Sequence, residues 1–479
     1  TELPLIDSNA SPVFYIGTGM PKTGYNFVNR LMGEGFYVNL GIFPAVPVKN
    51  TGVRITISRH NEKEDIRALV EAMAYHFPKA LEATGTNPER VYHAFKLGAR
   101  KSKTQKSSNE LSLKIFDSID GVDKVEWNRY LGGQGVYDWD GLKFLESVFR
   151  DNPKKEHNWS FRYVVIRDLK GRPVLMTFLS HSLWKDDMLA PVQVSEGLEE
   201  ERRSNPYHLC SMVLSMGCLF TEGDHMYCNV SHPLADRAMD LFLEFMENQE
   251  RGMGCKMTVL RDFPKDSIWN TQLFGHGFLR VQMPNSCSVD LKDMSSIEKY
   301  IATLSSRNRR HFRNDIEPYL GSVQCRTVPR LTSLELGQAG ALFEKARSRN
   351  LGLNTYSFPA TLFERMNENP LWEFIMLFPF NEPDRVLGVM FCYRNTDRVY
   401  VPAFIGMDYG ALEQYAVYRQ LLYRTIERAI DLGLPKIDFG MTAAFEKRKL
   451  GATVQEKYAF IETRDNFILE QLGVLEGQQ

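Results

Sequence analysis

The sequence predicts an α/β (α+β) fold, with two similar mixed sheets in tandem, each flanked by helices, behind a small N-terminal α+β subdomain. Three observations lead to this prediction. Apolar residues make up 43% of the 479 residues and charged residues 24%, as in a globular protein. The length corresponds to roughly three domains. Strand and helix patterns follow one another in the same order twice, which indicates that one α/β unit has been duplicated.

The composition narrows the classes of partner. The formal net charge of -1 gives no global field that would attract nucleic acid or an anionic membrane surface. There is no run of about 18 apolar residues, so we expect no membrane-spanning helix. The seven Cys include no C-x-x-C pair, which argues against a structural zinc site and favours reduced thiols. We therefore expect a cytoplasmic protein without a metal, and a membrane-peripheral position stays open.

The first predicted domain covers residues 1–97. It begins without the basic region and apolar stretch of a secretory signal and without an initiator Met, so we expect the chain to start inside a longer polypeptide. Asn61 is the expected N-cap of a helix that has acidic residues in its first turn. Other patterns predict strands at 13–16, 37–40 and 53–58 and a helix at 23–33. A polar, basic stretch at 98–109 is the expected linker.

Three motifs of this domain stand in a row: Gly35 to Leu40, Phe43 to Pro47 and Val53 to Ser58. Together they resemble the C-terminal subdomain of α-oxoamine synthases, which are PLP enzymes that condense an amino acid with an acyl thioester. The resemblance implies that Arg54 binds a substrate carboxylate through two parallel donors, and the alternative is a surface strand residue. The family's PLP-binding domain is missing here, so PLP would belong only to an upstream domain of a fusion protein. A homodimer is expected by analogy with that family.

Two further domains are predicted, at 110–293 and 294–479. In the first, a Lys170-Gly171 turn between two strand patterns predicts a hairpin. Its strands are expected at 111–115, 163–168, 173–179, 225–230 and 257–260, and its helices around 144–149 and at 233–250. In the second, strands are expected at 322–328, 372–378, 386–393, 399–405, 436–439 and 458–463, and helices at 334–349 and 415–432.

The last domain carries motifs of a known superfamily. They are Ser306 to Arg313 (Ser-Arg-Asn-Arg-Arg-His-Phe-Arg), Phe343 to Gly352 followed by Tyr356, and Ile437 to Gly440 followed by Phe445 to Ala452. Together they resemble GNAT acyltransferases, in particular the Fem-type enzymes and the bacterial N-acyltransferases of long-chain amines. Two such units in tandem are similar to the double-GNAT arrangement of the Fem-type enzymes. The resemblance implies transfer of an acyl group from acyl-CoA or an acyl carrier protein to an amine.

Acyl transfer to an amine needs removal of a proton, donors for the oxyanion and positive charge for an anionic carrier. The candidate catalytic residues are Asp438, Tyr356 and Glu446. The candidates for binding the donor or the substrate are Arg307, Arg310, Arg313, Lys447 and Lys449. Three alternatives stay open: the arginines form a solvated helix face, Asp438 forms an internal salt bridge with one of the lysines, and Tyr356 only packs its loop. His311 is more often structural in such a setting.

The identity of the donor depends on one departure from the superfamily. The stretch Gly406 to Tyr415 lacks the Gln/Arg-x-x-Gly-x-Gly/Ala turn that holds a pyrophosphate. An acyl carrier protein or aminoacyl-tRNA therefore stands beside acyl-CoA as a donor. The first hypothesis is N-acylation of an amino ketone or long-chain base made by the fused synthase. The alternatives are a Fem-type aminoacyl transferase and a non-catalytic GNAT-like scaffold. The domain at 110–293 is poor in motifs and is interpreted as structural.

Overall fold

The computed structural model describes residues 3–6, 11–42, 45–95, 97, 110–349, 353–396 and 398–463. The predicted linker at 98–109 lies outside these residues. The described residues fall into two compact units. The first unit takes those up to residue 110 together with 266–280 and 460–463, and the second takes 111–265 and 281–459. The predicted boundary at 293 stays a prediction, and the stretches on its two sides contribute to one unit.

The first unit contains a three-stranded antiparallel sheet in the order β1-β3-β2. Its elements up to residue 95 are β1 Val13–Gly19, α1 Pro21–Gly33, β2 Asn39–Gly41, β3 Thr51–Thr56, α2 Lys63–Ala83 and α3 Pro88–Ala94. The apolar faces of α1 and α2 meet at Phe27 and Phe77, whose ring centroids lie 5.5 Å apart. Burial of such faces, rather than helix propensity, stabilises short helices of this kind.

The start of α2 differs from the prediction. Asn61 is not its N-cap, because the helix begins at Lys63 and Glu62 is the N-cap residue. Instead, Asn61 Oδ1 accepts the backbone N–H of Ser58 at 2.7 Å. An Asn side chain that satisfies a nearby backbone group in this way favours a turn, so Asn61 shapes the approach to the helix and not its first turn.

Beyond residue 110 the described strands are β4 Leu111–Phe116, β5 Ser160–Asp168, β6 Pro173–Lys185, β7 Cys210–Met216, β8 Met226–Cys228, β9 Met257–Pro264, β10 Leu279–Asp290, β11 Val323–Val328, β12 Trp372–Pro379, β13 Gly388–Asn395, β14 Val399–Met407, β15 Lys436–Gly440 and β16 Thr453–Thr463. The described helices are α4 Lys124–Tyr130, α5 Trp139–Val148, α6 Val192–Arg202, α7 Ala235–Met253, α8 Asn270–Gly275, α9 Ile297–Thr303, α10 Ser306–Asp315, α11 Ser333–Arg349, α12 Thr361–Glu368, α13 Val417–Asp431 and α14 Ala444–Lys449. None of the helices in the described part of the chain is both long and apolar enough to cross a membrane.

The predicted mixed α/β fold is confirmed, and the two sheets prove to be one. The described strands follow the order β11-β12-β13-β14-β15-β10-β16-β9-β7-β6-β5-β4, with β8 beside β6. Pairing is parallel between β14 and β15 and between β7 and β9. The meanders β4 to β7 and β11 to β14 are antiparallel. We call β4 to β10 the N-terminal half and β11 to β16 the C-terminal half.

The two halves exchange their last strands. β10 follows β9 in the chain, but it pairs with β15 of the C-terminal half. β16 follows β15 in the chain, but it lies between β10 and β9. Each half is therefore completed by strand pairing with the other. Because strand pairing satisfies backbone groups that would otherwise be buried without partners, the two halves depend on each other for a closed hydrogen-bond ladder.

A glycine permits the close approach of α11 to β14. A Cβ at Gly406 would lie 2.7 Å from the backbone nitrogen of Phe343 and 2.9 Å from Leu342 Cβ. We expect Gly406→Ala to destabilise the protein by about 1–3 kcal/mol, because an added methyl group would push the helix from the sheet. Denaturant unfolding measures this difference.

Gly337 on the same helix is the matched control. A Cβ added at this glycine would meet no atom within 4 Å. Since Ala has the higher helix propensity, Gly337→Ala is expected to stabilise the protein by about 0.5–1 kcal/mol. Equal destabilisation by the two substitutions would contradict the proposed close contact at Gly406.

Candidate active site

Two strands of the C-terminal half separate at the centre of the sheet. Parallel pairing between β14 and β15 covers only Val399 with Lys436 and Tyr400 with Ile437. β14 continues to Met407 while pairing with β13 on its other side. Beyond Tyr400, the edge of β14 that faces β15 therefore makes no strand pairing with β15 among the described residues. Backbone N–H groups on such an edge are potential donors for an oxyanion.

Asp438 lies at the point of divergence. It is the residue of β15 that follows the last paired position, and it is 9% exposed. Its Oδ1 accepts the backbone N–H of Gly440 at 3.2 Å. Burial raises the pKa of Asp438 above its usual value, although Lys436, the Gly440 N–H and Lys447 oppose the shift. The internal salt bridge of the alternative is absent among the described residues: neither Lys447 nor Lys449 makes an ion pair with Asp438.

A second carboxyl group, not singled out from the sequence, lies near Asp438. Glu222 belongs to the loop after β7 and is 4% exposed. Its Oε1 accepts a hydrogen bond from Ser286 Oγ at 2.7 Å, and its Oε2 is buried without a partner among the described atoms. Burial, followed by the negative charge of Asp438, raises the pKa of Glu222 to about 8. Burial is the largest cause for both carboxyls, so the pKa of each lies above its usual value.

The loop that carries Glu222 is fixed by buried hydrogen bonds. The Tyr137 hydroxyl accepts the Thr221 N–H at 2.8 Å and donates to the Thr221 carbonyl. Arg261 donates to the Cys218 carbonyl at 2.6 Å. Gly217 begins the loop with a φ of 79°, where a side chain would be strained. The position of Glu222 is therefore set by the core of the N-terminal half.

Lys447 stabilises the turn that follows Asp438. Its Nζ is buried and donates to the three carbonyl oxygens of residues 439–441 at 2.8, 3.3 and 2.7 Å. In this turn Thr442 and Ala443 have φ angles of 66° and 46°. Such conformations are costly for residues with a side chain and persist where surrounding bonds hold them. Lys447 could contact a substrate anion only by giving up some of these bonds.

Glu446 has the surroundings of an ionised carboxylate. It accepts hydrogen bonds from Arg419 Nε at 2.9 Å and from Lys449 Nζ at 2.8 Å. Although partial burial raises its pKa, the bonds from Arg419 and Lys449 lower the pKa of Glu446 below the usual value. A weak base of this kind is poorly suited to take a proton at neutral pH. Lys449 is already engaged by this ion pair.

The structure brings α10, α14 and the start of α13 together. His311 of α10 is buried, pairs through Nδ1 with Asp315, and has its Nε2 3.9 Å from Glu446 of α14. Asn308 of α10 donates to the Arg448 carbonyl at 3.0 Å. The three predicted ligands on α10 are exposed at this end of the domain: Arg307, Arg310 and Arg313.

Tyr356 lies in a different place. Its hydroxyl donates to Cys210 Sγ at 2.8 Å, and Lys185 Nζ lies 5.1 Å from the centre of its ring. It lines a charged cavity of about 610 Å³, together with Arg202 and Asn354. No described contact joins Tyr356 to Asp438 or its neighbours. Its surroundings agree with the alternative of loop packing.

Arg54 lies in the first unit, and its position is described there alone. It is exposed on β3, where its backbone partners across the sheet are Tyr15 and Asn39. It makes no ion pair with the described residues. The guanidinium is accessible to solvent. This exposure agrees both with a role in binding a carboxylate and with the alternative of a surface strand residue.

Comparison with known proteins defines the class of the C-terminal half. Residues 306–448 match the family model described as "Acetyltransferase (GNAT) domain". This part of the chain is a GNAT-type acetyltransferase domain, and the protein is an acyltransferase. The matched stretch runs from α10 to α14, and so includes the divergence of β14 and β15 and Asp438. No curated protein is detectably similar to the chain in sequence.

Solved structures give distant likenesses. A GCN5-related N-acetyltransferase from Sphaerobacter thermophilus has a TM-score of 0.37 at 10% identity, covering 74% of this chain and 96% of that one. N-myristoyltransferase from Saccharomyces cerevisiae with bound myristoyl-CoA has 0.42 at 8%, covering 74% and 79%. The C-terminal domain of a putative lysylphosphatidylglycerol synthetase from Agrobacterium fabrum has 0.36 at 10%, covering 56% and 85%. Likenesses at these scores are too distant to indicate a substrate.

Proposed function

We propose that the protein is an N-acyltransferase that moves an acyl group from a thioester to the amine of an amino ketone or long-chain base. The observation that carries the proposal is the position of Asp438, which is buried where β14 and β15 diverge. A carboxyl at this point can accept a hydrogen bond from an amine and hold its nitrogen towards a thioester placed between the strands. Orientation of this kind is a large part of catalysis in bimolecular group transfer.

The donor is the second part of the proposal. Acyl-CoA and an acyl carrier protein both present phosphate, and the arginines of α10 suit phosphate because a guanidinium offers several donors in a plane. Arg307 and Arg310 are exposed and make no ion pair with described residues. They lie on the helix that contacts α14 near the start of α13. We place the phosphates of the donor along this end of the domain.

A double substitution tests this placement. In the variant with Arg307→Ala and Arg310→Ala, we expect KM for the acyl donor to rise roughly tenfold while kcat changes little, because the lost contacts bind ground state and transition state alike. Steady-state kinetics over a range of donor concentrations measures both constants. Arg365→Ala on α12 is the control, since Arg365 is an exposed arginine of another helix. An unchanged KM in the double variant contradicts the placement.

The acceptor follows from the proposed fusion. An α-oxoamine synthase releases an amino ketone, and the amine of that product can receive a second acyl group. We infer that the first unit corresponds to the C-terminal subdomain of such a synthase, with Arg54 as the ligand of an amino-acid carboxylate. PLP would then be bound by an upstream domain. The exposed position of Arg54 on β3 is compatible with this assignment.

A transfer assay read by mass spectrometry tests the proposal. The protein is incubated with acyl-CoAs of several chain lengths and with a long-chain amino alcohol or an amino ketone. An N-acylated product, identified by its mass, supports the proposal and gives the preferred chain length. If acyl-CoA gives no product, the same acceptors are tried with acyl-loaded carrier protein. Failure with both classes of donor would contradict the proposed function.

A further inference from the structure

We propose that Glu222, supplied by the N-terminal half, is a catalytic residue that accepts a proton from the amine. The inference rests on the proposed function and names a base for it. It also assigns a catalytic role to the half of the tandem that has no recognisable motif of its own. The exchanged strand β10 carries two serines that link the two carboxyls: Ser286 contacts Glu222, and Ser288 pairs with Asp438.

Both serines face the same side of the sheet as Asp438. The β10–β15 register shifts between Cys287 and Ser288, but burial still alternates along β10, with Cys287 fully buried in the opposite core, so Ser286 and Ser288 share a face. Ser288 is the cross-strand partner of Asp438 in the β10–β15 ladder. Ser286 in turn donates to Glu222 at 2.7 Å. The ladder therefore brings the carboxyls of Glu222 and Asp438 to neighbouring positions.

One oxygen of Glu222 is free to accept a proton. Ser286 occupies Oε1, but Oε2 is buried and has no hydrogen-bond partner among the described atoms. A buried polar atom without a partner is costly to maintain and is a common mark of a functional site. The fixed loop prevents Glu222 from escaping to solvent. The vacant Oε2 is therefore the atom that would meet an amine held by Asp438.

The charges around Glu222 are a mixture of both signs. The titratable groups that act on Glu222 or on Asp438 are Asp438 and Lys436 of β15, Asp262 of β9, Lys447 of α14, Cys287 of β10 and Asp224 of the same loop. Burial and the acids raise the pKa of Glu222 to about 8, while Ser286 and Lys447 oppose the shift. A base with such a pKa is well matched to proton removal near neutral pH.

Acyl transfer removes two protons from the nitrogen of the protonated amine. The acceptor arrives as an ammonium ion, and the Glu222 carboxylate takes one of its protons. The lone pair of the neutral amine then forms the C–N bond at the thioester carbonyl carbon. As the tetrahedral adduct collapses, the C–S bond breaks and the leaving thiolate takes the second proton from nitrogen. Glu222 releases its proton to solvent, so that the products are the amide, the thiol and one proton.

The pH dependence of acyl transfer in matched variants tests the role of Glu222. We expect the wild-type rate to rise as pH approaches about 8, the pKa of Glu222. Glu222→Gln should lower kcat about 10²- to 10³-fold and abolish this rise. Ser286→Ala removes a bond that lowers the pKa of Glu222, so its rate profile should move to higher pH. Glu364→Gln is the control, because Glu364 is an exposed glutamate of α12 and the substitution makes the same change from carboxyl to amide.

Stability gives a readout independent of turnover. The pKa of Glu222 is raised on folding, so wild-type stability falls relative to Glu222→Gln as pH rises from about 4.5 to about 8. The Tm of Glu222→Gln should therefore rise relative to that of the wild type across this window. A constant Tm difference would contradict the raised pKa of Glu222 that matches it to proton removal near neutral pH.

Failure of the inference and failure of the proposed function have different signatures. If the wild type transfers acyl groups and Glu222→Gln keeps its rate and pH profile, the role of Glu222 is wrong while the function stands. If the wild type transfers nothing from either class of donor, the function itself is wrong, and the role of Glu222 is lost with it. Should Glu222→Gln fail to fold, the shifted or unshifted pH profile of Ser286→Ala decides.

Discussion

Asp438→Asn is expected to lower kcat for acyl transfer about 10²-fold, with a small change in KM for the donor. The amide keeps an oxygen that can accept the Gly440 N–H, as Asp438 Oδ1 does at 3.2 Å, so the turn should persist. The other half of the side chain becomes an NH2 group, which repels the N–H of an incoming amine. Single-turnover kinetics with saturating donor measures the chemical step apart from binding.

Asp431→Asn provides the control for this prediction. Asp431 ends α13, is exposed and lies outside the proposed site. The same change of carboxylate to amide there should leave kcat as in the wild type. Wild-type kcat in Asp438→Asn, in a protein with unaltered Tm, would show that the carboxyl at the strand divergence is not part of the catalytic site.

Lys447→Met is expected to destabilise the protein by about 3–5 kcal/mol. Methionine matches the length of the lysine stem, but it cannot donate to the carbonyl oxygens of residues 439–441, which Lys447 satisfies at 2.7–3.3 Å. Those acceptors would remain buried, and the positive φ angles of Thr442 and Ala443 would lose their support. Denaturant unfolding, followed by far-UV circular dichroism, gives the free energy difference.

Lys449→Met separates the loss of charge from the loss of these bonds. Lys449 also follows Glu446 on α14, but it is more exposed, and its Nζ contacts only Glu446 and the ring of Phe445 among the described residues. A partly exposed ion pair contributes at most about 1 kcal/mol. If Lys447→Met and Lys449→Met lowered the free energy of unfolding equally, the buried ammonium would not be the support of the turn.

Elements with strong periodicity could be predicted from the sequence. The hairpin of β5 and β6 forms around the Lys170-Gly171 turn as expected, because a glycine with positive φ allows the chain to reverse between two apolar runs. The long pattern before Gly433 likewise forms α13, which ends at Asp431. In both cases the residues that predict the element are close together in sequence. Tertiary contacts therefore strengthen the predicted element and do not override its prediction.

Two strands beside the candidate site, β7 and β10, gave no such signal. β7 reads Cys-Ser-Met-Val-Leu-Ser-Met and shows no alternation, because a central strand is covered on both faces. β10 contains Pro284, and a proline argues against a strand in the middle of a sheet. Its partner β15 lies more than a hundred residues away in sequence. Pairing over such distances cannot be inferred from composition or periodicity.

The same reason explains which site residues were missed. Glu222 can be predicted as a site residue only when β7 is recognised as a strand. It then lies in the loop after the fourth strand of its repeat, as residues 408–416 do in the C-terminal half. Asp438 was found because it lies in a short predicted strand close before a turn. Lys447 was expected to bind an anion, a role that its burial among three carbonyl oxygens makes costly.

The exchange of β10 and β16 has a consequence for synthesis of the chain on the ribosome. The N-terminal half emerges first, yet the strand that lies beside β9 in the finished sheet is β16, near the end of the described residues. Until β16 has been translated, the inner edge of β9 is open to other strands. Open strand edges are where newly made chains aggregate. The period in which this edge can aggregate thus lasts from the synthesis of β9 until the synthesis of β16.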